Sequence, residues 1–460
     1  MNSHNAMPHP TLESLADDLT QGRVTSAQLT EAALARIADP AGEGARAFIR
    51  VDADRARAAA RASDALRDAG IACSPLEGIP VSVKDLFDIA GESTTAGSVA
   101  LRDAPPAARN APAVDRLIAA GAVIVGRTNM SEFAFSGLGI NPHHGTPRNP
   151  WGRTADGGGR IPGGSSSGAA VSVTDGMALL AIGTDTAGSV RIPAALCGLA
   201  GFKPTARRVP TQGALPLSST LDAIGPIAAS VRDCAIADAI LAGGDVAAAQ
   251  ELAPLPLAGA RLAVPATLML DGLDSAVATA FERVCATLSR LGARITHIAL
   301  PELAELASIN ARGTLQAAES WAWHRALIAR QGAAYDPRVR VRIETGAAMT
   351  AADYIDLHAA RGRWIAALTQ RLAPHDALIA PTAPCIAPDI AATAADDATY
   401  FRLNGLILRN TAPINFWDGC ALSIPCHEPG NAPVGLMIAG PALSDARILA
   451  WGLAIERALV

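Results

Sequence analysis

Short apolar runs alternate with helical stretches through most of this chain, and that alternation restricts its fold more than any other feature. Strand-like runs fall at 78–83, 122–125, 262–265, 294–300, 377–380 and 434–439. Helical patterns fall at 112–120, 230–243, 275–291, 302–330, 351–372 and 443–458. Strands that alternate with helices predict an α/β fold with a largely buried sheet. The first 70 residues read as helices. Thr25-Ser26-Ala27-Gln28 has capping-box spacing and opens an amphipathic run to about Ala38, and 52–69 is rich in Ala and Arg, both strong helix formers. No repeat and no long linker divides the 460 residues, so one domain over 1–460 is expected, with 1–70 as a helical segment packed on the core.

Composition excludes several function classes. Half of the residues are hydrophobic and 18% are charged, which supplies a large core and excludes disorder as the overall class. A net charge of −5 offers no basic face for nucleic acid. No run reaches about 18 apolar residues, so no transmembrane helix is expected, and residues 1–20 hold no apolar signal core. Seven scattered cysteines do not make a disulfide framework. These readings predict a cytoplasmic protein with neither nucleic-acid nor membrane partners.

Of the 38 basic residues, 36 are Arg and two are Lys, Lys84 and Lys203. Where arginine would serve, this chain uses it. A retained lysine therefore suggests a need for a compact amine that can lose its proton, which a guanidinium does not do.

The most informative stretch runs from Gly163 to Thr205, GGSSSGAAVSVTDGMALLAIGTDTAGSVRIPAALCGLAGFKPT. A flexible Gly/Ser linker would be longer and would not lead into an apolar helical segment. A phosphate loop would carry Lys after its second glycine, whereas Ala169 and Ser189 follow here. Gly164-Ser165-Ser166-Ser167-Gly168 matches a nucleophile elbow with Ser166 as nucleophile, and Asp376 and His427 lie downstream as acid and base.

A different serine arrangement fits more of the chain. GGSSSG, then GTDTAGSVRIPA and GFKPT, together with GIPVSVKDLFD at 78–88, GRTNMSEFA at 126–134, RNPW at 148–151 and PTAP at 381–384, resembles the amidase signature family. The resemblance runs in order from about residue 10 to the C-terminus, with the catalytic signature at 78–205. It implies a single α/β/α sandwich with a large mixed sheet covered by helices. It also implies a Ser–Ser–Lys triad: Lys84 as base, Ser165 as bridging serine after a cis Gly164–Ser165 bond, and Ser189 as nucleophile of an acyl-enzyme. Thr186, Ala187, Gly188 and Ser189 would offer backbone N–H groups to the oxyanion, and Ala134 to Ser136 would line the acyl site. The chemistry is coherent, since a serine hydroxyl needs a base and a neutral lysine is a known variant of triad logic.

Other residues read as support. Asp185 and Arg191 are candidates for an ion pair that holds the loop, Ser166 and Ser167 for hydrogen bonding, and Lys203 for structure. Adjacent His143 and His144 do not share a helix face, and Cys420 and Cys426 lack zinc spacing, so no metal and no cofactor are expected. The segment 152–162, GRTADGGGRIP, is longer and richer in glycine than the usual family spacer and is expected to form a rim beside the acyl site. The reaction the resemblance implies is hydrolysis of a C–N bond in a small-molecule substrate, an amide, carbamate (urethane) or urea, by a monomer or homodimer. The alternative is a glutaminase-type amidotransferase subunit, whose glutamine-binding arginine would fall at Arg361.

Overall fold

The computed structural model of the chain describes residues 10–459. An eleven-stranded sheet is built from β1 (Phe48–Val51), β2 (Pro80–Lys84), β3 (Val123–Thr128), β4 (Leu180–Asp185), β5 (Ala200–Lys203), β6 (Ala223–Ala228), β7 (Arg261–Pro265), β8 (Arg294–Ile298), β9 (Ala377–Pro381), β10 (Cys420–Pro425) and β11 (Gly435–Gly440). Their order is β1-β3-β2-β4-β6-β5-β10-β11-β9-β7-β8. The sheet is mixed: β3, β2 and β4 run parallel, as do β9, β7 and β8, and antiparallel pairs join the two groups.

The two-residue period of the strands sorts side chains onto two apolar faces. Val81 and Val83 of β2, Leu180 and Ile182 of β4, Leu262 and Val264 of β7, and Leu436 and Ile438 of β11 enter one core. The residues between them face the other way, Ala181 into a second core and Ala263, Met437 and Ala439 into a third. Helices cover both faces. Val231–Ala242 and Asp445–Leu459 bury Cys234, Ile240, Ile448 and Trp451 in the first core. On the opposite face, Ser167–Thr174 buries Ala169 to Val171 in the second core, and Ala351–Leu372 buries Leu357, Trp364 and Leu368 in the third. Each large side chain so buried contributes about 1.5–3 kcal/mol. The edge strands β1 and β8 are short, partly exposed and carry Arg50 and Arg294, which discourages pairing with another chain. Among the described residues no helix is long and apolar enough to cross a membrane.

The Thr25 capping box forms as expected, with Thr25 Oγ1 accepting from Gln28 N and Gln28 Oε1 from Thr25 N. The run at 302–330, read as one helical pattern, is two helices, Pro301–Ile309 and Leu315–Gln331. Gly313 lies between them at φ +136°, and Thr314 caps the second helix by accepting from Ala317 N.

Candidate active site

Parallel pairing of β2 with β4 brings the carboxyl ends of both strands to the same edge. Val83 pairs with Ile182, so the next residue, Lys84, lies beside Gly183 and Thr184. The two-residue period turns Lys84 to the same face as Ser82, whose hydroxyl bonds to Ser172 on the helix Ser167–Thr174. That helix begins at Ser167, the last residue of the serine run, so Lys84 and Ser165 meet. Lys84 is 0% exposed. Its Nζ donates to Ser165 Oγ at 2.7 Å and to Thr184 Oγ1 at 3.0 Å. Burial pulls its ammonium down from the ordinary 10.5 to about 7, against the opposing charges of Asp222 and Asp185.

The Gly164–Ser165 bond is cis. The glycines around it are required by close approach: a Cβ on Gly164 would lie 2.5 Å from Gly139 N, and one on Gly168 2.2 Å from Ala47 O. Ser165 O accepts from Ser131 N at 3.1 Å, and Ser166 N donates to Ser189 O at 3.3 Å, which ties the two serine segments together. Among the described residues no hydrogen bond joins Ser165 Oγ to Ser189 Oγ; catalytic hydrogen bonds commonly tighten only in the reacting complex.

Ser189 follows β4 in a loop organised by one carboxylate. Asp185 accepts from the backbone N–H groups of Gly188 (2.8 Å), Val190 (3.2 Å) and Arg191 (3.3 Å). It also receives Arg191 Nε and a terminal nitrogen, each at 2.9 Å, and Asn415 Nδ2 at 2.9 Å. Despite burial, the Arg191 guanidinium holds the Asp185 carboxyl far below the usual range. The expected Asp185–Arg191 ion pair is therefore formed and fully buried.

This arrangement corrects one expectation. Gly188 N–H is engaged by Asp185 and is not free for an oxyanion. Its role is conformational: Gly188 stands at φ +140°, and a Cβ there would lie 2.3 Å from Thr411 Oγ1. No protein acceptor is found among the described residues for the N–H groups of Thr186, Ala187 and Ser189. Those three residues line a cavity of about 160 Å³, and Gly188 does not. Ala134 and Ser136 line the same cavity. Ala134 stands at φ +60°, and the Ser136 hydroxyl accepts from Tyr400 and donates to Asn404 Oδ1.

The competing elbow does not assemble. Ser166 Oγ is buried without a partner, Asp376 is paired with Arg261 and Arg447, and His427 lines a separate cavity. Lys203 donates to Pro204 O at 2.6 Å inside the core and is brought down by burial to about 8. His143 bonds to Glu132, and no cluster of metal-ligating side chains occurs among the described residues. The segment 152–162 is not at the acyl site. Its backbone pairs with 388–390, and Gly157–Gly159 line another cavity with Arg46 and Arg148. Arg361 is also away from the cavity, donating to Phe416 O and Asn415 O.

Several residues at the site carry no signal in the sequence. Thr184 lies inside the GTDTAGSVRIPA stretch, which by itself gives it no role, and Asp222 lies outside every motif. Arg342 lines the cavity from the helix Pro337–Glu344, stacked at 4.3 Å over the Phe135 ring and donating to Phe135 O. Among the described residues it has no carboxylate partner, while its helix neighbours Arg338 and Arg340 pair with Asp397 and Glu344.

The Amidase family model matches residues 28–449. The 2-amino-5-chloromuconic acid deaminase of Comamonas testosteroni is 40% identical over 88% of this chain and 87% of its own length. A glutamyl-tRNA(Gln) amidotransferase subunit from Roseiflexus sp. (strain RS-1) is 36% identical over 97% of this chain and 96% of its own length. The crystal structure of an amidase superposes with a TM-score of 0.87 at 33% identity, covering 98% of this chain and all of that one. A matching family model over most of the chain, the mixed sheet and the neighbouring structure agree: this chain belongs to the amidase signature family of hydrolases.

Proposed function

We propose that the chain hydrolyses the amide bond of a small substrate whose acyl part carries a carboxylate, through a serine acyl-enzyme with Lys84 as general base. The observation that carries the reaction is Lys84 itself: fully buried, bonded to Ser165 Oγ, and brought down to about 7. Neutral Lys84 takes the Ser165 proton while Ser165 takes that of Ser189. Ser189 Oγ then attacks the carbonyl carbon, and the C=O electron pair moves to oxygen. The N–H groups of Thr186, Ala187 and Ser189 receive that charge. As the tetrahedral centre collapses, the proton returns from Lys84 through Ser165 to the nitrogen, the C–N bond breaks and the amine leaves. Water repeats the sequence on the ester and releases the acid. Carbamates and ureas would follow the same steps.

Arg342 supports the carboxylate. An unpaired guanidinium in a cavity of about 160 Å³ favours a small anionic group. No Asp or Glu is among the described lining residues, so no side-chain anion there would pair with an ammonium group. That favours the monoamide of a dicarboxylic acid over glutamine, and thus free hydrolysis over an amidotransferase role. The test is ammonia release by the purified chain from dicarboxylic monoamides, uncharged aliphatic amides, glutamine and simple carbamates. The reading expects the monoamides to be best. Arg342→Met should lower kcat/KM on them by about 100-fold, the loss of one charge-assisted bidentate contact, and leave the slow uncharged amides unaffected. Glutamine as the best substrate, or an Arg342→Met enzyme as active on monoamides as the parent, would refute it.

A further inference from the structure

One carboxylate joins two walls of the cavity. Asp222 directly precedes β6, where Ala223 pairs with Asp185 of β4, so its side chain lies beside the loop that leads to Ser189. One carboxylate oxygen accepts from Thr186 Oγ1. The other accepts from the backbone N–H groups of Leu217 at 3.0 Å and Ser218 at 3.1 Å. Thr186 and Leu217 both line the cavity. Ser218 Oγ in turn donates to Glu319 at 2.5 Å, which also receives Thr220 Oγ1 at 2.5 Å and Tyr354 Oη at 2.7 Å. The 217–220 wall is thereby anchored to the helices Leu315–Gln331 and Ala351–Leu372.

We propose that Asp222 is a positioning residue of this site: it clamps Thr186 to the 217–218 wall and holds an uncompensated negative charge toward Lys84. The inference rests on Lys84 acting as base. Two acidic groups face Lys84, Asp222 and Asp185. Asp185 is neutralised by Arg191 and lies near Lys203. Asp222 has no ion-pair partner among the described residues, and the charge that faces it besides Lys84 is Glu319. Burial and Glu319 raise its carboxyl to about 6, so it is ionised where Lys84 titrates. Burial alone would drive Lys84 lower and leave it a weaker base; an anion that opposes burial keeps the base near neutrality.

The experiment needs no known substrate. Phenylmethylsulfonyl fluoride labels the activated serine, and its second-order inactivation rate from pH 5 to 10 reports the ionisation of the base. The parent should show an acid limb near 7. In Asp222→Asn, which keeps oxygen and shape, the limb should move down by about one pH unit, the effect of removing a nearby opposite charge, and the plateau rate should fall. Thr186→Val removes the hydrogen bond, and with it one of the contacts that keep Asp222 ionised, so the clamp is read from the plateau labelling rate above the limb, which should fall. An Asp222→Asn limb that coincides with the parent's overturns the electrostatic role, and a Thr186→Val rate equal to the parent's overturns the clamp. Thermal melts run in parallel check the fold of both variants, and the valine variant still tests the clamp were Asp222→Asn to fail to fold. A parent with no acid limb at all, or Lys84→Arg labelled normally, would instead reject Lys84 as base.

Discussion

Replacing Lys84 with methionine should abolish activity and yet stabilise the protein at neutral pH. The fall of the Lys84 ammonium from 10.5 to about 7 means that the folded state holds its proton less tightly than the unfolded chain. Lysine thus destabilises the fold most at low pH, by about 5 kcal/mol below pH 7, and by less and less as pH rises toward 10.5. Methionine has similar length and no charge to desolvate. Its cost is the loss of the bonds to Ser165 Oγ and Thr184 Oγ1, about 1 kcal/mol each. At pH 7 the balance favours Lys84→Met by about 2 kcal/mol. At pH 10 the lysine penalty has shrunk to about 1 kcal/mol and the variant should be the less stable. Urea unfolding of both proteins at pH 7 and pH 10 reads the difference from the midpoints at a common slope. A variant less stable than the parent by the same amount at both pH values would refute the argument, because it would mean that Lys84 is buried at no electrostatic cost.

Lys84→Arg should be as inactive as Lys84→Ala from pH 6 to 9, since a guanidinium stays protonated there; appreciable turnover by the arginine variant would show that charge alone suffices. Ser189→Ala should abolish turnover and sulfonyl fluoride labelling, whereas Ser166→Ala should keep the label; peptide mapping that finds Ser166 modified would reverse the assignment. Gly188→Ala should lose at least about 100-fold in kcat, the scale of an ångström-level misplacement at a reacting centre, because its Cβ would meet Thr411 Oγ1 at 2.3 Å and Ile192 Cδ1 at 2.6 Å; near-parental rates would mean that the loop tolerates the shift. Shortening 154–159 should leave the relative rates on small and bulky amides unchanged, as that loop lines a different cavity; altered selectivity in steady-state assays would place it back at the acyl site.

The sequence by itself determined the fold class, the family and the chemical types at the site. Local periodicity and family motifs suffice for these, because a strand such as Pro80–Lys84 or a helix such as Ala351–Leu372 carries its pattern in a few turns of chain. The strands β1, β4, β5, β6 and β10 were not legible. Leu180–Asp185 and Ala223–Ala228 are buried throughout, so they show no polar alternation, and glycine within them hides their strand character. The break at Gly313 was read through, although Asn310 to Thr314 interrupt the apolar pattern with a glycine and an N-cap threonine. Tertiary structure decided what depends on facing elements. The N–H of Gly188 is occupied because Asp185 folds back onto it. The cavity takes its charge from Arg342 and not Arg361, because Pro337–Glu344 packs over the 134–137 loop while Arg361 is drawn to the carbonyls of Asn415 and Phe416. Asp222 matters only because β6 runs antiparallel to β4 and delivers it beside Thr186. The sequence specifies which groups exist; their distances, burial and partners, which set a lysine near 7 and leave Arg342 at the cavity without a carboxylate, arise only when segments far apart in the chain are packed together.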